Sequence, residues 1–285
     1  MNAVADVEAL IRFARRHPRL FVLTGAGVST DSGIPDYRDE LGAWKRRQPI
    51  RYREFLSIES LRRRYWARSL IGWGFFAGAE PNGAHRALAR LERQGRLLQL
   101  VTQNVDGLHQ QAGARRVIDL HGRVDRVDCL GCGRAVARDA YQRVLETANP
   151  GFAARLVGVA PDGDADLESR DYGDFRVPAC DACGGVMKPA VVFFGESVPR
   201  PRVQRALQRL RAADGVLVVG SSLMVYSGYR FVRAAAELAK PVAAVNLGVT
   251  RADDLLTIKV SRPCAETLST LASALGPVSV QGPVA

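Results

Sequence analysis

Short runs of consecutive apolar residues, each closed by glycine or polar turns, recur at 20–23, 97–101, 189–194, 215–219 and 242–246. Runs of this length without alternation predict strands buried on both faces. Between several of them the apolar residues take helical spacing, at Ala84 to Arg93, Val203 to Arg211, Tyr229 to Leu238 and Ala265 to Leu275, and ADVEALIRFARRHPRL ahead of the first run predicts an opening helix. Such alternation predicts an α/β fold built on a doubly wound, parallel, Rossmann-like sheet.

Two stretches break the alternation. Residues 39–82 are rich in Arg, Tyr and Trp at helical spacing, and residues 123–188 carry four cysteines, glycine pairs and the acidic loop PDGDADLESRD. Both read as insertions, so the sheet domain is expected to comprise 1–38, 83–122 and 189–285, with 39–82 a helical insertion and 123–188 a metal-binding one. No internal repeat or low-complexity tract is present.

In open parallel sheets ligands bind at the carboxyl ends of strands. The runs here end in TGAGVS, in TQNVDGLH at 102–109, in GSSLMVYSGY at 220–229 and in Asn246-Leu247-Gly248. The first turn is a partial dinucleotide fingerprint. Gly25 and Gly27 fit, but Thr30 stands where a third glycine is usual, and the position of the ribose-binding acid falls at Trp44 and Lys45. An ordinary strand-to-helix turn remains the alternative. Asn104 and Asp106 are placed to orient ribose hydroxyls and a carboxamide, or equally to cap a helix beginning near Asp106. Of the four histidines, His17 and His85 read as solvated or structural. His109 and His121 stand at strand ends, where a neutral imidazole serves either as a general base or as a hydrogen-bonded core residue.

Cys129-x-x-Cys132 and Cys180-x-x-Cys183 form two glycine-flanked knuckles separated by 47 residues. Four thiolates at this spacing predict one tetrahedral zinc, and a closed shell with no open position makes it structural. Disulfides are disfavoured without an export signal. Cys264 has no partner and reads as a packing residue.

Composition adds three points. At 285 residues and 47% hydrophobic content the chain can bury a substantial core. No stretch approaches the roughly 18 apolar residues of a membrane span, and a basic-then-apolar leader is lacking, which predicts a cytoplasmic protein with no membrane partner. The net charge of +11, nearly all of it from Arg, favours an anionic partner: nucleic acid, an acidic surface or a phosphorylated cofactor. The clusters at 45–47, 51–53 and 62–64 lack aromatic interleaving, so a solvated basic face is the simpler reading and nucleic acid is not required.

Taken in order, GAGVSTDSGIPDYR, TQNVDGLH, LHG, the two CxxC knuckles, KPAVVFFGE, GSSLMVYSGYR and VNLG resemble the sirtuin family of NAD-dependent protein deacylases, over roughly residues 20–265. RRRYWARSLIGW at 62–73, PNGAH at 81–85, APDGD at 160–164 and SLMVYSGYRF are similar to its class II branch, which includes the mitochondrial sirtuin with lipoamidase and ADP-ribosyltransferase activities; a bacterial relative is implied.

The resemblance implies that the two insertions pack as one small lobe, leaving a cleft against the sheet with His121 at its mouth. It implies that the amides of Gly25, Ala26 and Gly27, with the following helix terminus, meet the cofactor phosphates. Pro35, Asp36, Tyr37 and Arg38 then form a mobile cofactor loop in which Arg38 neutralises phosphate and Tyr37, where the family more often has Phe, shields the reacting sugar. Gln103, Asn104 and Asp106 hold the nicotinamide ribose and carboxamide. Gly220, Ser221, Ser222, Asn246, Leu247, Gly248 and the backbone of Cys264 hold the adenosine half.

An acyl-lysine peptide is expected to add as a strand between Val192, Phe194, Gly195 and Glu196 on one side and Ser227 with Gly228 on the other. His121 is expected to act as the base once nicotinamide has left, assisted by Asn104 and Asp106, and the protein to work as a monomer. Protein mono-ADP-ribosylation is an alternative within the same chemistry, and a non-catalytic NAD-sensing zinc module is one outside it. The sequence does not specify the acyl group.

Overall fold

The computed structural model describes residues 3–45, 48–152 and 172–278. Arg46, Arg47, APDGD and PDGDADLESRD lie outside them. The first half runs α1 (Ala3–Arg16), β1 (Leu20–Thr24), α2 (Tyr52–Ser57), α3 (Glu59–Ala77), α4 (Gly83–Arg93), β2 (Leu97–Thr102), α5 (Leu108–Gln111) and β3 (Val117–Asp119). There follow β4 (Gly122–Cys129), β5 (Ala135–Ala137), α6 (Arg138–Ala148), β6 (Met187–Val191), α7 (Arg200–Ala212), β7 (Gly215–Val219), α8 (Tyr226–Glu237), β8 (Val242–Val245), β9 (Ile258–Val260) and α9 (Cys264–Ala274).

Six strands form a parallel sheet in the order β3-β2-β1-β7-β8-β9. The apolar runs at 20–23 and 215–219 are buried at every position because alternate side chains enter different cores. Leu20, Val22, Leu217 and Val219 meet Leu10 and Phe13 of α1, Leu88 of α4 and Leu271 of α9. Phe21, Leu23, Val216 and Val218 meet Leu210 of α7 and Phe231 of α8. Helices therefore cover both faces, which is the physical reason these strands tolerate no polar alternation. Each such fully buried side chain contributes about 1.5–3 kcal/mol.

The run at 189–194 departs from expectation. Met187–Val191 pairs antiparallel with β4 in a separate three-stranded sheet of order β5-β4-β6, and 192–194 turn away from it. β6 is an edge strand, where Pro189, lacking an N–H, costs no ladder bond. The small sheet shares an aromatic core with α2 and α3: Phe55 of α2 and Tyr65, Trp66 and Leu70 of α3 pack with Val127, Tyr141, Leu145, Met187 and Phe193. At Gly122, with φ +81°, β4 crosses β6 so closely that a Cβ would lie 2.0 Å from the Ala190 carbonyl oxygen. That crossing joins the small sheet to the carboxyl edge of the large one.

Candidate functional site

In chain order the parallel sheet grows from β1 outward through β2 and β3, then restarts on the other side of β1 with β7, β8 and β9. The switch of direction falls between β1 and β7, where open α/β sheets bind ligands. A cavity of about 980 Å³ occupies this crevice. It brings together every cofactor residue expected from the sequence, from Gly25 through Arg38 to Gln103, Asn104, Asp106, Gly220, Ser221, Ser222, Asn246, Leu247, Gly248 and Cys264. Beside them are His121, Val192, Phe194, Gly195, Glu196 and Ser227. Gly228 does not line the cavity.

The glycines act mainly by letting backbones meet. A Cβ on Gly25 would fall 2.7 Å from Ser221 Cβ, one on Gly27 3.0 Å from the Gly220 carbonyl, and one on Gly220, with φ +57°, 2.4 Å from the Val28 nitrogen. The Gly25 N–H donates to Val219 O (3.1 Å) and the Gly27 N–H to Gly220 O (2.9 Å). These two amides are therefore committed within the protein, contrary to the expected phosphate cradle. The expected helix terminus is absent as well: the chain forms two 3₁₀ turns, Ala26–Val28 and Thr30–Ser32, and among the described residues no α-helix lies between β1 and α2.

Behind these turns lies a buried polar relay centred on Ser29. The backbone N–H of Asn82 donates to His85 Nδ1 (3.3 Å), so His85 carries its proton on Nε2, facing Ser29 Oγ at 3.4 Å. Ser29 Oγ donates to Asp106 Oδ2 (2.8 Å) and accepts from Asn104 Nδ2 (2.9 Å). Asp106 Oδ1 also accepts the N–H of Leu108, the first residue of α5, whose N-cap is Gly107, so the acid both braces the start of that helix and lines the cavity. Burial raises its pKa, and the hydrogen bonds from Leu108, Ser29 and Asn104 oppose that rise. Nothing in the sequence distinguishes Ser29 from the neighbouring turn hydroxyls; only the fold sets it between Asn104 and Asp106. His109 packs against His85 with ring centroids 4.8 Å apart and places Nε2 2.9 Å from Thr24 Oγ1. It does not line the cavity.

His121 directly precedes β4. Its Nδ1 lies 2.9 Å from the Gln103 carbonyl, which can only accept, so Nδ1 holds the proton. Nε2 therefore carries the lone pair and accepts from Ser227 Oγ at 2.7 Å. Burial is the main influence on the ring and lowers its pKa to about 4; the Gln103 bond opposes this, while Arg202 and Arg230 reinforce it. The imidazole is neutral at ordinary pH. Gln103 Nε2 ties the strand ends together through Ser221 Oγ (2.9 Å) and Thr24 O (3.2 Å).

Two substrate expectations need correction. Ser227 and Gly228 lie in the first turn of α8, and the Gly228 N–H is bonded to Val225 O (3.1 Å), so they offer no extended edge to a peptide. Gly228 instead makes room for Gln103, whose Oε1 would be 2.4 Å from a Cβ there. Glu196 is also occupied. Its carboxylate pairs with Lys188 Nζ at 3.0 Å and accepts the Phe193 N–H at 2.8 Å. Lys188, almost fully buried, further donates to Val191 O (2.5 Å) and sits 4.7 Å from the Phe193 ring centroid. This buckle, not marked in the sequence, fixes the 191–196 turn.

The segment expected to form the cofactor loop is folded on itself. Arg38 stacks over Trp44 (4.1 Å) and donates to Gly42 O (2.6 Å), so its charge is held within the loop. Lys45 meets Asp36 at 2.5 Å, and Tyr37, Trp44 and Phe194 form edge-to-face contacts of 5.5–6.3 Å. Glu40 O accepts the Val249 N–H (2.8 Å), and a Cβ on Gly248 would strike that same carbonyl oxygen at 2.4 Å. The cavity's polar strand ends and glycine-lined floor fit a dinucleotide.

The sulfur atoms of Cys129, Cys132, Cys180 and Cys183 all lie within 4.8 Å of one another, with Cys129 to Cys183 at 3.5 Å and Cys132 to Cys180 at 3.8 Å. Tetrahedral Zn–S bonds of about 2.3 Å demand this sulfur spacing. A Cβ on Gly185 would sit 2.8 Å from Cys129 Sγ, which explains the glycine after the second knuckle. The four cysteines fit one structural zinc. Cys264 stands apart against Val245 O, its thiol pushed up to about 12 chiefly by burial.

The Sir2 family profile matches residues 25–227. The chain is 59% identical over 272 residues to an NAD-dependent protein deacetylase of Bordetella bronchiseptica, covering 95% of this chain and 99% of that protein. It is 60% identical over 270 residues to NAD-dependent protein deacetylase 2 of Bradyrhizobium diazoefficiens, with the same coverages. Among solved structures it is similar to Sir2 with a p53 peptide and NAD+ (TM-score 0.75, 28% identity, 94% of this chain and 97% of that one). Sir2 bound to acetylated peptide is also similar (TM-score 0.73, 27% identity, 94% and 97%).

Two outcomes follow from the site's chemistry. Cys129→Ser or Cys183→Ser removes about one zinc per chain and unfolds the small sheet, while Cys264→Ser keeps the metal; metal analysis showing equal loss in all three contradicts the assignment. Burial lowers the pKa of His85 to about 4 and that of His109 well below 6.5. Above about pH 6.5 these rings are neutral in both folded and unfolded chains. Between about pH 6.5 and 4 the unfolded chain takes up protons that the folded chain refuses, so stability falls with falling pH, by up to about 3 kcal/mol for His85. Urea midpoints across this window should show the loss, and a shallower slope in His85→Gln; an unchanged slope contradicts it.

Proposed function

The chain belongs to the Sir2 family, and from that premise we propose that it is an NAD-dependent protein deacetylase acting on acyl-lysine in protein or peptide substrates. NAD, when bound, supplies a ribose carbon whose nicotinamide the acyl-lysine oxygen displaces, so that the acyl group finally leaves on ADP-ribose and the lysine amine is freed. The observation that carries this reading is the neutral His121, its Nε2 lone pair facing the same cavity that Asn104, Asp106 and Gln103 line.

His121 Nε2 accepts the proton of a substrate hydroxyl. Its tautomer is fixed by the Gln103 carbonyl, and its low pKa keeps the lone pair available across the physiological range. Ser227 Oγ donates to the same lone pair. Asn104 and Asp106, fixed through Ser29, orient polar groups of the cofactor. The substrate backbone runs along Val192 to Gly195 on one side only, held in place by the Lys188 to Glu196 buckle. The class II reading stays with RRRYWARSLIGW, of which Tyr65 reaches the cavity wall.

Because nicotinamide departs before any hydroxyl must lose a proton, loss of the base stalls a late step. His121→Ala should stay folded with its zinc and still exchange labelled nicotinamide into NAD when acetyl-peptide is present. It should lose net deacetylation by roughly 10²-fold or more. Parallel loss of exchange and deacetylation in a folded, zinc-loaded variant removes His121 from the base role.

A further inference from the structure

The start of β4 and the end of β6 separate two cavities. His121, Val124 and Val191 line the large cavity, whereas Gly122, Arg123 and Ala190 line a second groove of about 600 Å³ between the β3 edge, β4 and the start of α7. Its charged residues are Arg123, Arg126, Arg202, Arg205, Asp119 and Asp125. Both acids are engaged: Asp119 accepts from Gln110 Nε2 at 2.9 and 3.1 Å, and Asp125 pairs with Arg123. Arg126 pairs with Asp128 at 3.0 Å, outside the groove lining.

The α7 arginines differ. Arg202 donates to the Leu120 carbonyl at 3.0 Å and makes no ion pair among the described residues. Burial, reinforced by the neighbouring Arg126 charge and opposed by Asp119, disfavours its charged form. Arg205, one helical turn on and exposed, has no ion pair or side-chain hydrogen bond among the described residues. Like charges thus face one another across a concave surface, with fewer carboxylates than guanidinium groups. An anion placed there relieves the repulsion and meets forked donors from both sides.

We propose that this groove binds a compact oxyanion carrying two or more negative charges, held between Arg202 and Arg205 of α7 and Arg123 and Arg126 of β4. The site is separate from the cofactor cavity but lies behind its wall. Through the Arg202 bond to Leu120 O, an occupant also holds the backbone one residue before His121.

The test titrates inorganic pyrophosphate and, separately, citrate into the full chain at matched ionic strength, by calorimetry, for the natural protein and Arg205→Gln. The two anions distinguish a phosphate from a carboxylate source. The expected result is that at least one anion binds the natural protein beyond the sodium chloride control, and that Arg205→Gln weakens a binding event about 10-fold or more. Slower amide exchange at Leu120 to Val124 should accompany binding in the natural protein and be lost in Arg205→Gln. Because Arg205 is exposed, that variant keeps the fold. No binding of either anion overturns the proposal, as does undiminished binding by Arg205→Gln, which would place the anion elsewhere, including in the cofactor cavity.

Discussion

The architecture rests on one close approach. At the end of β1 and the end of β7 the backbones of Gly25, Gly27 and Gly220 come so near that no side chain fits between them. The two hydrogen bonds made there, from Gly25 to Val219 and from Gly27 to Gly220, lock the strands at the point where the sheet reverses its order of growth. Because connections diverge on either side of that point, a crevice opens above it. Gln103 spans the same junction from β2, touching Thr24 and Ser221. His121, bonded to the Gln103 carbonyl, takes its orientation from this junction.

Burial then decides the chemistry of the histidines. His85, His109 and His121 all lie where a charged ring is disfavoured, but their partners differ. His85 faces Ser29 and His109 faces Thr24, and neither histidine lines the cavity. Only His121 directs a nitrogen lone pair toward cavity-lining groups. The same desolvation that costs acid stability at all three positions keeps the His121 ring neutral, as the proposed base role requires. On the small lobe, the zinc knuckles and the aromatic core fix β4 and β6, and their crossing at Gly122 fixes the backbone next to His121.

Much of this was legible in the sequence because unbroken apolar runs and CxxC knuckles carry their physical meaning locally. The strands at 20–23, 97–101, 215–219 and 242–246 and the four-cysteine cluster are found where the pattern sets them. The run at 189–194 carries the pattern of a parallel-sheet strand yet pairs in the small sheet, because burial by an aromatic core and burial between helix layers leave the same apolar signature. The sequence pattern places the start of α8 at Tyr229 and leaves Ser227 and Gly228 extended, whereas the helix begins at Tyr226. The glycine turn was recognised, but its amides were expected to face phosphate when they face another strand. Ser29 and Lys188 were missed because each acquires its role from partners that only folding brings near: Asn104 and Asp106 for one, the turn at 191–196 for the other.

The central claim is that the fold holds His121 neutral, protonated on Nδ1, with Nε2 left as the acceptor. Nitrogen chemical shifts of selectively labelled histidine, followed by NMR through an acid titration of the zinc-loaded protein and assigned with a His121→Gln variant, measure this directly. The account predicts an Nδ1–H tautomer whose shifts stay constant down to about pH 4. A His121 ring that titrates near 6.5, or one that carries its proton on Nε2, would contradict it.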